Sequence, residues 1–259
     1  MVSRNKANFI ISLQKKKVRE EEKVYVIEGD KLVKEFLSAR VPVRTLVANP
    51  EFLNSLPLFQ KQCIEEIIPA DYDDLKKISS LKTPHNALAI IQMPEIKLDP
   101  ASLKKGLTLA LDFVQDPGNL GTIIRAAAWF GIENIYCSEE CVDVYNPKVI
   151  QASMGAILHV NVFHTDLRKL LESAAEYKVK VFGALLEGDS IYSHNLEKNG
   201  IILLGNESKG ISEDLLPYIT DRIMIPKISN AQNGIDSLNV SMAASVILSE
   251  FTRSKGRMI

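Results

Sequence analysis

The chain has 259 residues, of which 46% are hydrophobic and 24% charged, and its formal net charge is −1. This composition is typical of a globular protein, and a charge so close to zero gives no global sign of a polyanionic partner. No apolar run reaches the roughly 18 residues of a membrane helix, and the N-terminus lacks the apolar core of a signal peptide. We therefore expect a cytoplasmic protein.

The N-terminal segment is strongly basic. Its first nineteen residues contain no acid and carry six basic side chains, namely Arg4, Lys6, Lys15, Lys16, Lys17 and Arg19. Such a run can displace counterions from RNA phosphates. It is also compatible with a solvated helix, because glutamates follow at residues 20–22.

Strand-like and helix-like patterns alternate along the first third of the chain. Strands are predicted over residues 23–29, 43–49, 64–70 and 87–93, and helices over 30–39, 53–63 and 72–81. A segment with prolines and mixed charge follows, and we place a linker at 96–105. The predicted domains are 1–95 and 106–259.

The larger C-terminal part repeats this alternation. Strands are predicted over 107–114, 133–138, 159–164, 179–186, 200–205 and 222–226, and helices over 119–131, 146–157, 166–177, 212–219 and 237–251. This order predicts two α/β domains with mostly parallel sheets covered by helices on both faces. In such sheets, ligands bind beyond the carboxyl ends of the strands.

Cys137 and Cys141 have the spacing of half a zinc site, but no second pair of Cys or His follows at a suitable distance. With Cys63, the chain has three cysteines and no disulfide pattern. We therefore expect reduced thiols and no bound metal.

The first loop with unusual chemistry is DPGN at 116–119. It is a turn sequence, and Asn119 is a suitable N-cap for the next helix. That helix is almost entirely apolar apart from Arg125, whose guanidinium needs an anionic partner if it is buried. The alternative is an arginine at the helix edge that reaches water. Trp129, one turn further on, is assigned to the core rather than to base stacking.

The second loop, LLGNESKGIS at 203–212, nearly matches a phosphate-binding loop. Lys209 comes one residue too early and Glu207 would repel a triphosphate, so nucleotide binding is disfavoured. Gly205 would let a ligand approach the backbone closely. Glu207 is the carboxylate that we expect to pair with Arg125, and its alternative role is a carboxylate at a helix start.

The third loop follows a strand that ends at Pro226. Ser237, Asn239 and Ser241 cluster at the first turn of its helix, and capping readily explains only one of them. The chain also lacks a Gly-x-Gly-x-x-Gly fingerprint and a Gly-x-Ser-x-Gly elbow. One arginine, one glutamate, amides and hydroxyls are weak acid–base groups and suit an electrophile that arrives already activated.

Together, these segments resemble the three motifs of the SpoU/TrmH family of RNA ribose 2′-O-methyltransferases, in the SPOUT superfamily. DPGNLGTIIRAAAWFG resembles motif one, LLGNESKGIS motif two and SLNVSMAAS motif three, in the order and at the spacing of the family. VYNPKVIQASMGAI matches a further family segment. VIEGDKLVKEFL is similar to an N-terminal RNA-binding domain like an RNA-binding ribosomal protein.

The resemblance implies an α/β protein with a SPOUT-type parallel sheet in a catalytic domain at 106–259, and a deep trefoil knot formed by the C-terminal part of that domain. The smaller α/β domain at 1–95 would bind the RNA substrate. The resemblance also implies S-adenosyl-L-methionine as methyl donor and a homodimer with the cofactor site at its interface. The substrate would be ribosomal or transfer RNA and not DNA, which lacks the ribose 2′-hydroxyl.

By position, the resemblance assigns catalysis to Asn119, Arg125, Glu207, Ser237 and Asn239. It assigns cofactor binding, largely through main-chain groups, to Leu204, Gly205, Asn206, Ile225, Pro226, Leu238 and Ser241. We expect RNA contacts from Lys15, Lys16, Lys17, Arg19 and Lys148. Arg125 either deprotonates the 2′-hydroxyl, as is proposed for the family, or fixes a phosphate and the hydroxyl while another group takes the proton.

Two alternatives stay open. One is a catalytically idle RNA-binding or ribosome-assembly protein that keeps the fold, and the other is a P-loop nucleotidase. Housekeeping modification and antibiotic resistance are both possible roles of an active enzyme. The segment 227–236 departs from the family, because many members have a shorter glycine-containing loop there.

Overall fold

The structure, a computed structural model, describes residues 1–193, 196–227 and 237–253. The chain forms two units, and each has its own sheet. The first unit comprises Met1–Glu95 and Asp143–Leu158, and the second comprises Ile96–Val142 and His159–Ile259. By its contacts, the segment Asp143–Leu158 therefore belongs to the first unit, although in the chain it lies between two strands of the second.

The first unit is built around a mixed four-stranded sheet in the order β1-β4-β2-β3. The strands are β1 (Val24–Glu28), β2 (Val43–Ala48), β3 (Ile67–Pro69) and β4 (Ala87–Gln92). β4 is antiparallel to both of its neighbours, whereas β2 and β3 are parallel. The prediction of a mostly parallel sheet is wrong for this unit.

Helices cover both faces of this sheet. They are α1 (Arg4–Ser12), α2 (Lys16–Glu22), α3 (Asp30–Ser38), α4 (Pro50–Ser55), α5 (Leu58–Lys61), α6 (Tyr72–Ile78) and α8 (Pro147–Ser153). Alternate residues of β1 enter different clusters: Tyr25 packs with α3 residues such as Phe36, and Val26 packs with Ile10 of α1 and Ile78 of α6. Each such buried apolar side chain contributes about 1.5–3 kcal/mol to the free energy of folding. Because both faces of β1 are buried, consecutive residues of this strand are apolar.

The second unit is a parallel α/β structure, as predicted. Its strands are β5 (Leu107–Leu111), β6 (Asn134–Cys137), β7 (Asn161–His164), β8 (Val181–Ser190), β9 (Gly200–Leu204) and β10 (Asp221–Met224). They form a six-stranded sheet in the order β10-β8-β9-β5-β6-β7, with every neighbouring pair parallel. The helices are α7 (Pro117–Trp129), α9 (Leu167–Glu176) and α10 (Val240–Thr252). All residues of β9 are buried, as expected of an interior strand.

Two predicted helices differ from the structure because of prolines. The helix predicted over 53–63 is split into α4 and α5, since Leu56 before Pro57 has an extended backbone. The helix predicted over 212–219 is a turn followed by the short 3₁₀ helix Leu216–Tyr218, which contains Pro217. Proline provides no backbone N–H for a continuing α-helix.

Within the described ranges, no helix is both long and apolar enough to cross a bilayer. The same residues contain no group of His, Cys, Asp and Glu side chains arranged to hold a metal ion. Cys63, Cys137 and Cys141 are free thiols.

Candidate active site

The candidate site lies at the carboxyl edge of the second unit's sheet. β5 and β9 are adjacent, and β8 separates β9 from β10. Because these strands are parallel, the loops that leave them start along one edge of the sheet. The loop after β5 leads into α7, and α7 packs against α10. These loops carry the three sequence segments with unusual chemistry.

A single carboxylate oxygen joins the three segments. Glu207 Oε1 accepts hydrogen bonds from Asn119 Nδ2 at 2.8 Å, from Asn239 Nδ2 at 2.7 Å and from the backbone N–H of Val240 at 3.2 Å. Asn239 Nδ2 also donates to Asn119 Oδ1 at 2.9 Å. The structure thus brings Asn119, Glu207 and Asn239 together from positions far apart in the chain.

Helix capping explains how the two asparagines are oriented. The N-cap of α7 is Asp116, whose Oδ1 accepts from Asn119 N at 2.8 Å, so the prediction of Asn119 as N-cap is wrong. The Asn119 side chain is consequently available to Glu207. Asn239 is the N-cap of α10, and its Oδ1 accepts from Ser241 N, Ser241 Oγ and Met242 N. Its amide nitrogen faces the network.

The loop after β9 closes on itself. Asn206 and Gly210 exchange two backbone hydrogen bonds of 2.9 Å, and Asn206 Oδ1 accepts from the backbone N–H groups of Ser208 and Lys209. Asn206 Nδ2 donates to the carbonyl of Phe113 at 2.9 Å, which ties the loop to the end of β5. A phosphate-binding loop needs these backbone N–H groups for its ligand, so this geometry disfavours the P-loop alternative.

Gly205 is required by the loop itself. A Cβ built on Gly205 would lie 2.2 Å from the carbonyl carbon of Gly210. The space that a side chain would occupy is therefore filled by the chain's own backbone, so the closed loop requires glycine at this position. The main-chain groups of Gly205 are the part of the residue that can still contact a cofactor.

Arg125 and Trp129 both lie on the exposed face of α7. Arg125 is exposed and has no hydrogen bond or ion pair with any residue that the structure describes. The predicted pairing of a buried Arg125 with Glu207 is wrong, because Glu207 bonds to the two asparagines instead. Trp129 is 84% exposed, so its assignment to the core is also wrong. The helix is apolar on most sides, and its residue pattern therefore does not indicate which face packs inward.

The remaining predicted cofactor and catalytic residues lie around this edge. Leu204 is buried, and its carbonyl accepts from Asp112 N at 2.8 Å. Ile225 and Pro226 are half-buried just after β10, whereas Ser237 and Leu238 are exposed before α10. Ser241 is buried and its hydroxyl donates to Asn239. The unusual loop lies outside the described residues over 228–236.

The predicted RNA-binding residues belong to the first unit and divide into two groups. Lys15, Lys16 and Lys17 are exposed, and the last two make only long surface ion pairs with Glu20 and Glu21. Lys148 is exposed on α8. These four lysines are accessible to a polyanion.

Arg19 is 1% exposed, so its predicted contact with RNA is wrong. Its Nη1 donates to the carbonyls of Leu13 and Gln14 at 2.7 and 2.8 Å, and its Nε donates to Asp143 Oδ2 at 3.2 Å. Nη2 bonds to the same carboxylate oxygen. The guanidinium thus caps the end of α1 and binds the segment that contains α8.

Residues missed by the sequence analysis hold the loop after β5. The backbone N–H of Val114 donates to Cys141 Sγ at 3.2 Å, and that of Phe113 donates to Ser138 Oγ at 3.1 Å. The hydrogen bond from the Cys137 thiol is the main cause that lowers the pKa of Cys141, and the same contact raises the pKa of Cys137. Asp112, at the end of β5, is buried and accepts a hydrogen bond from Ser212 N.

A parallel sheet whose loops converge at its carboxyl edge around an amide–carboxylate network is typical of an α/β protein that binds a ligand at this edge. The helix that follows the first of these loops also carries Arg125, which has no partner within the described ranges. The chain belongs to the SpoU rRNA methylase family, because residues 106–249 match that family. Residues 5–89 match the MRM3-like substrate binding domain. The predicted family membership is thereby confirmed.

Relatives match over nearly the whole chain. The 23S rRNA (guanosine(2553)-2′-O)-methyltransferase of Bacillus subtilis is 29% identical over 237 residues, covering 91% of each protein. A Porphyromonas gingivalis protein assigned to the TrmH family of RNA methyltransferases has a solved structure that is 36% identical. It superposes with a TM-score of 0.86 over 97% of this chain and 98% of that one.

A third likeness concerns the fold alone. The AdoMet-bound rRNA methyltransferase of Sinorhizobium meliloti is 24% identical, with a TM-score of 0.81 over 97% of this chain and 96% of that one.

Proposed function

We propose that the chain transfers a methyl group from S-adenosylmethionine to a ribose 2′-hydroxyl of ribosomal RNA. The observation that carries this proposal is the Glu207 network, which joins the three family motifs at the ligand-binding edge of the sheet. The relative from Bacillus subtilis, whose name states this activity on 23S rRNA, supports the choice of ribosomal over transfer RNA. We further propose a cytoplasmic location, and RNA rather than DNA as the substrate, because DNA lacks the reacting hydroxyl.

The residues at the ends of β9 and β10 fit the cofactor. Ile225, Pro226 and Leu238 offer apolar surface for a purine, and main-chain groups there and at Gly205 offer hydrogen bonds. When bound, the cofactor supplies a methyl group activated by its sulfonium. The family resemblance further implies a deep trefoil knot in the C-terminal part of the catalytic domain, and we include it in the proposal.

The network residues orient the reactants and Arg125 binds the RNA. Glu207, Asn119 and Asn239 fix one another, so the edge of the site is preorganised before RNA arrives. The Arg125 guanidinium is exposed and has no partner among the described residues, so its N–H groups can bind a phosphate or the ribose oxygen. Ser237 is exposed beside this network and is assigned to the same surface.

The first unit is the proposed RNA-binding part, with residues 1–95 as a domain and 96–105 as the linker. The match of residues 5–89 to a substrate binding domain supports this role, as does the family resemblance to an RNA-binding ribosomal protein. Its accessible cations include Lys15, Lys16, Lys17 and Lys148. Phosphate contacts by these lysines would position the RNA without reading its sequence.

We also propose that the protein is a homodimer through the exposed face of α7. A Trp side chain that is 84% exposed is unusual on a monomer surface and favours burial by a partner. The family resemblance implies a dimer with the cofactor site at its interface, which agrees with the position of α7 beside the Glu207 network.

The proposal is tested with the purified full chain, methyl-labelled S-adenosylmethionine and unmodified 23S and 16S rRNA transcripts. We expect label in one of these RNAs at a 2′-O-methylated nucleotide, located by mapping alkali-resistant positions. Transfer to transfer RNA only would correct the substrate class. RNA binding without transfer under any condition would favour the catalytically idle alternative.

Arg125→Ala sharpens this test. We expect methyl transfer to be lost while S-adenosylhomocysteine still binds, because Arg125 is assigned to the RNA. The thermal midpoint should not change, since Arg125 is exposed and unpaired in the described part of the chain. Arg222→Ala, an exposed arginine on β10 of the same unit, is the matched control and should keep activity. Near-normal turnover of Arg125→Ala would remove this residue from the mechanism.

A further inference from the structure

Asp112 is a buried carboxylate that the proposed chemistry does not use. It follows β5 directly and is 2% exposed. Its Oδ2 accepts a 2.7 Å hydrogen bond from the backbone N–H of Ser212, and this is its only side-chain hydrogen bond among the described residues. A buried carboxylate is costly unless its hydrogen bonds repay the lost hydration, and apolar replacements of buried charges are often neutral for stability. Stability alone therefore does not account for an aspartate here.

The partner of Asp112 closes the loop that carries Glu207. That loop, residues 205–212, leaves β9 at Gly205 and is tied to the end of β5 by three bonds. Asp112 N donates to Leu204 O, and Asn206 Nδ2 donates to Phe113 O, both at the loop's start. The Asp112 carboxylate fixes the loop's end at Ser212. Both ends of the loop are thus attached to β5, and Glu207 lies between the two attachments.

We infer that Asp112 is a positioning residue for the proposed methyl transfer: its carboxylate anchors the 205–212 loop, and through it the main chain of Gly205 and the side chain of Glu207. This inference rests on the proposed function, because it assigns Gly205 to the cofactor and Glu207 to the reaction. Asp112 itself contacts neither reactant. A loop freed at Ser212 would displace both groups, and displacements of about 1 Å can reduce turnover roughly 100-fold.

Two substitutions by side chains similar in size to aspartate distinguish an effect on the loop anchor from an effect on folding. Asp112→Asn keeps an oxygen that can accept from Ser212 N–H, whereas Asp112→Leu fills the same space without an acceptor. For Asp112→Leu we expect the KM for S-adenosylmethionine to rise and kcat to fall, so that kcat/KM decreases about 100-fold, the typical effect of displacing positioned groups by about 1 Å. The thermal midpoint should stay the same or rise. Asp112→Asn should remain within a few-fold of wild type.

Ser212→Ala is the matched control, because only the backbone N–H of Ser212 takes part and its hydroxyl makes no hydrogen bond within the described ranges. Kinetics are measured with the full chain, and S-adenosylhomocysteine binding by calorimetry. Wild-type kinetics in Asp112→Leu would overturn the inference alone. A wild-type chain that neither transfers methyl nor binds S-adenosylhomocysteine would overturn the proposed function as well.

Amide hydrogen exchange keeps the inference testable even if Asp112→Leu does not fold. The Ser212 amide should exchange slowly in the wild type and in Asp112→Asn, because in both an oxygen accepts its hydrogen bond. Rapid exchange of this amide in the wild-type chain would show that the anchor does not exist and would overturn the inference.

Discussion

Glu207 shows how several neighbouring groups can depend on one side chain. A single oxygen accepts from Asn119, Asn239 and Val240 N. Removing it takes this acceptor from Asn119 Nδ2, Asn239 Nδ2 and Val240 N–H, and frees the starts of α7 and α10 from the loop after β9. The site would then lose the preorganised network that orients the reactants, but it would still bind the methyl donor.

We therefore predict that Glu207→Ala lowers kcat about 100-fold, the typical cost of misplacing a reacting group, and changes S-adenosylhomocysteine affinity only a few-fold. Single-turnover kinetics and calorimetry measure the two effects separately. Glu213→Ala, which removes an exposed carboxylate six residues later, is the control and should behave as wild type. An equal decrease of kcat in Glu207→Ala and Glu213→Ala would contradict a specific role of Glu207 and would show a general effect of charge on RNA binding.

Arg19 illustrates the opposite case, a charge predicted to face RNA and found buried. We predict that Arg19→Ala destabilises the first unit by about 3–5 kcal/mol, because Asp143 would lose its partner in a buried ion pair. The double variant Arg19→Leu with Asp143→Leu should recover most of this loss. Urea unfolding gives the free energies, and Lys17→Ala, at an exposed position, should change them by less than about 0.5 kcal/mol. A small effect of Arg19→Ala would contradict the assigned role.

At the scale of elements, periodicity predicted every strand of both sheets, because buried strands are apolar runs bounded by turns. It did not predict which face of an apolar helix packs inward, so Arg125 and Trp129 of α7 were misplaced. It also did not distinguish the buried Arg19 from exposed lysines in the same run, since burial depends on a distant partner, Asp143. The three motif segments were found in sequence, whereas their meeting at Glu207 required the fold.

The N-cap and first two residues of α2 are the exposed lysines Lys15, Lys16 and Lys17, which are proposed to contact RNA. We predict that changing Lys15, Lys16 and Lys17 together to Gln weakens RNA binding and flattens the slope of log K against log salt. The slope should decrease by about 2, because each phosphate that is no longer neutralised on single-stranded RNA accounts for roughly 0.7. Filter binding over a salt series measures it. The control changes Lys76 and Lys77 of α6, and an unchanged slope in the first variant would identify the run as a solvated surface.

At the scale of the whole molecule, the exposed face of α7 is the proposed dimer interface, and the proposed cofactor site would be complete only in the dimer. We predict that the wild type is a dimer by light scattering at micromolar concentration and that Trp129→Asp shifts it to monomers. The loss of a buried interface Trp is worth about 2–4 kcal/mol, or roughly a 30- to 1,000-fold rise in the dissociation constant. The monomer should keep its thermal midpoint, because Trp129 is 84% exposed within the single chain.

Cofactor binding links this assembly to the proposed activity. If the cofactor site lies at the interface, the monomeric Trp129→Asp variant should bind S-adenosylhomocysteine more weakly, and raising its concentration should restore binding by mass action. Tyr72→Asp is the matched control, since it places a charge at an exposed aromatic position of the first unit and should leave the dimer intact. A monomeric wild type with full activity would show that one chain suffices, and a Trp129→Asp dimer would place the interface elsewhere.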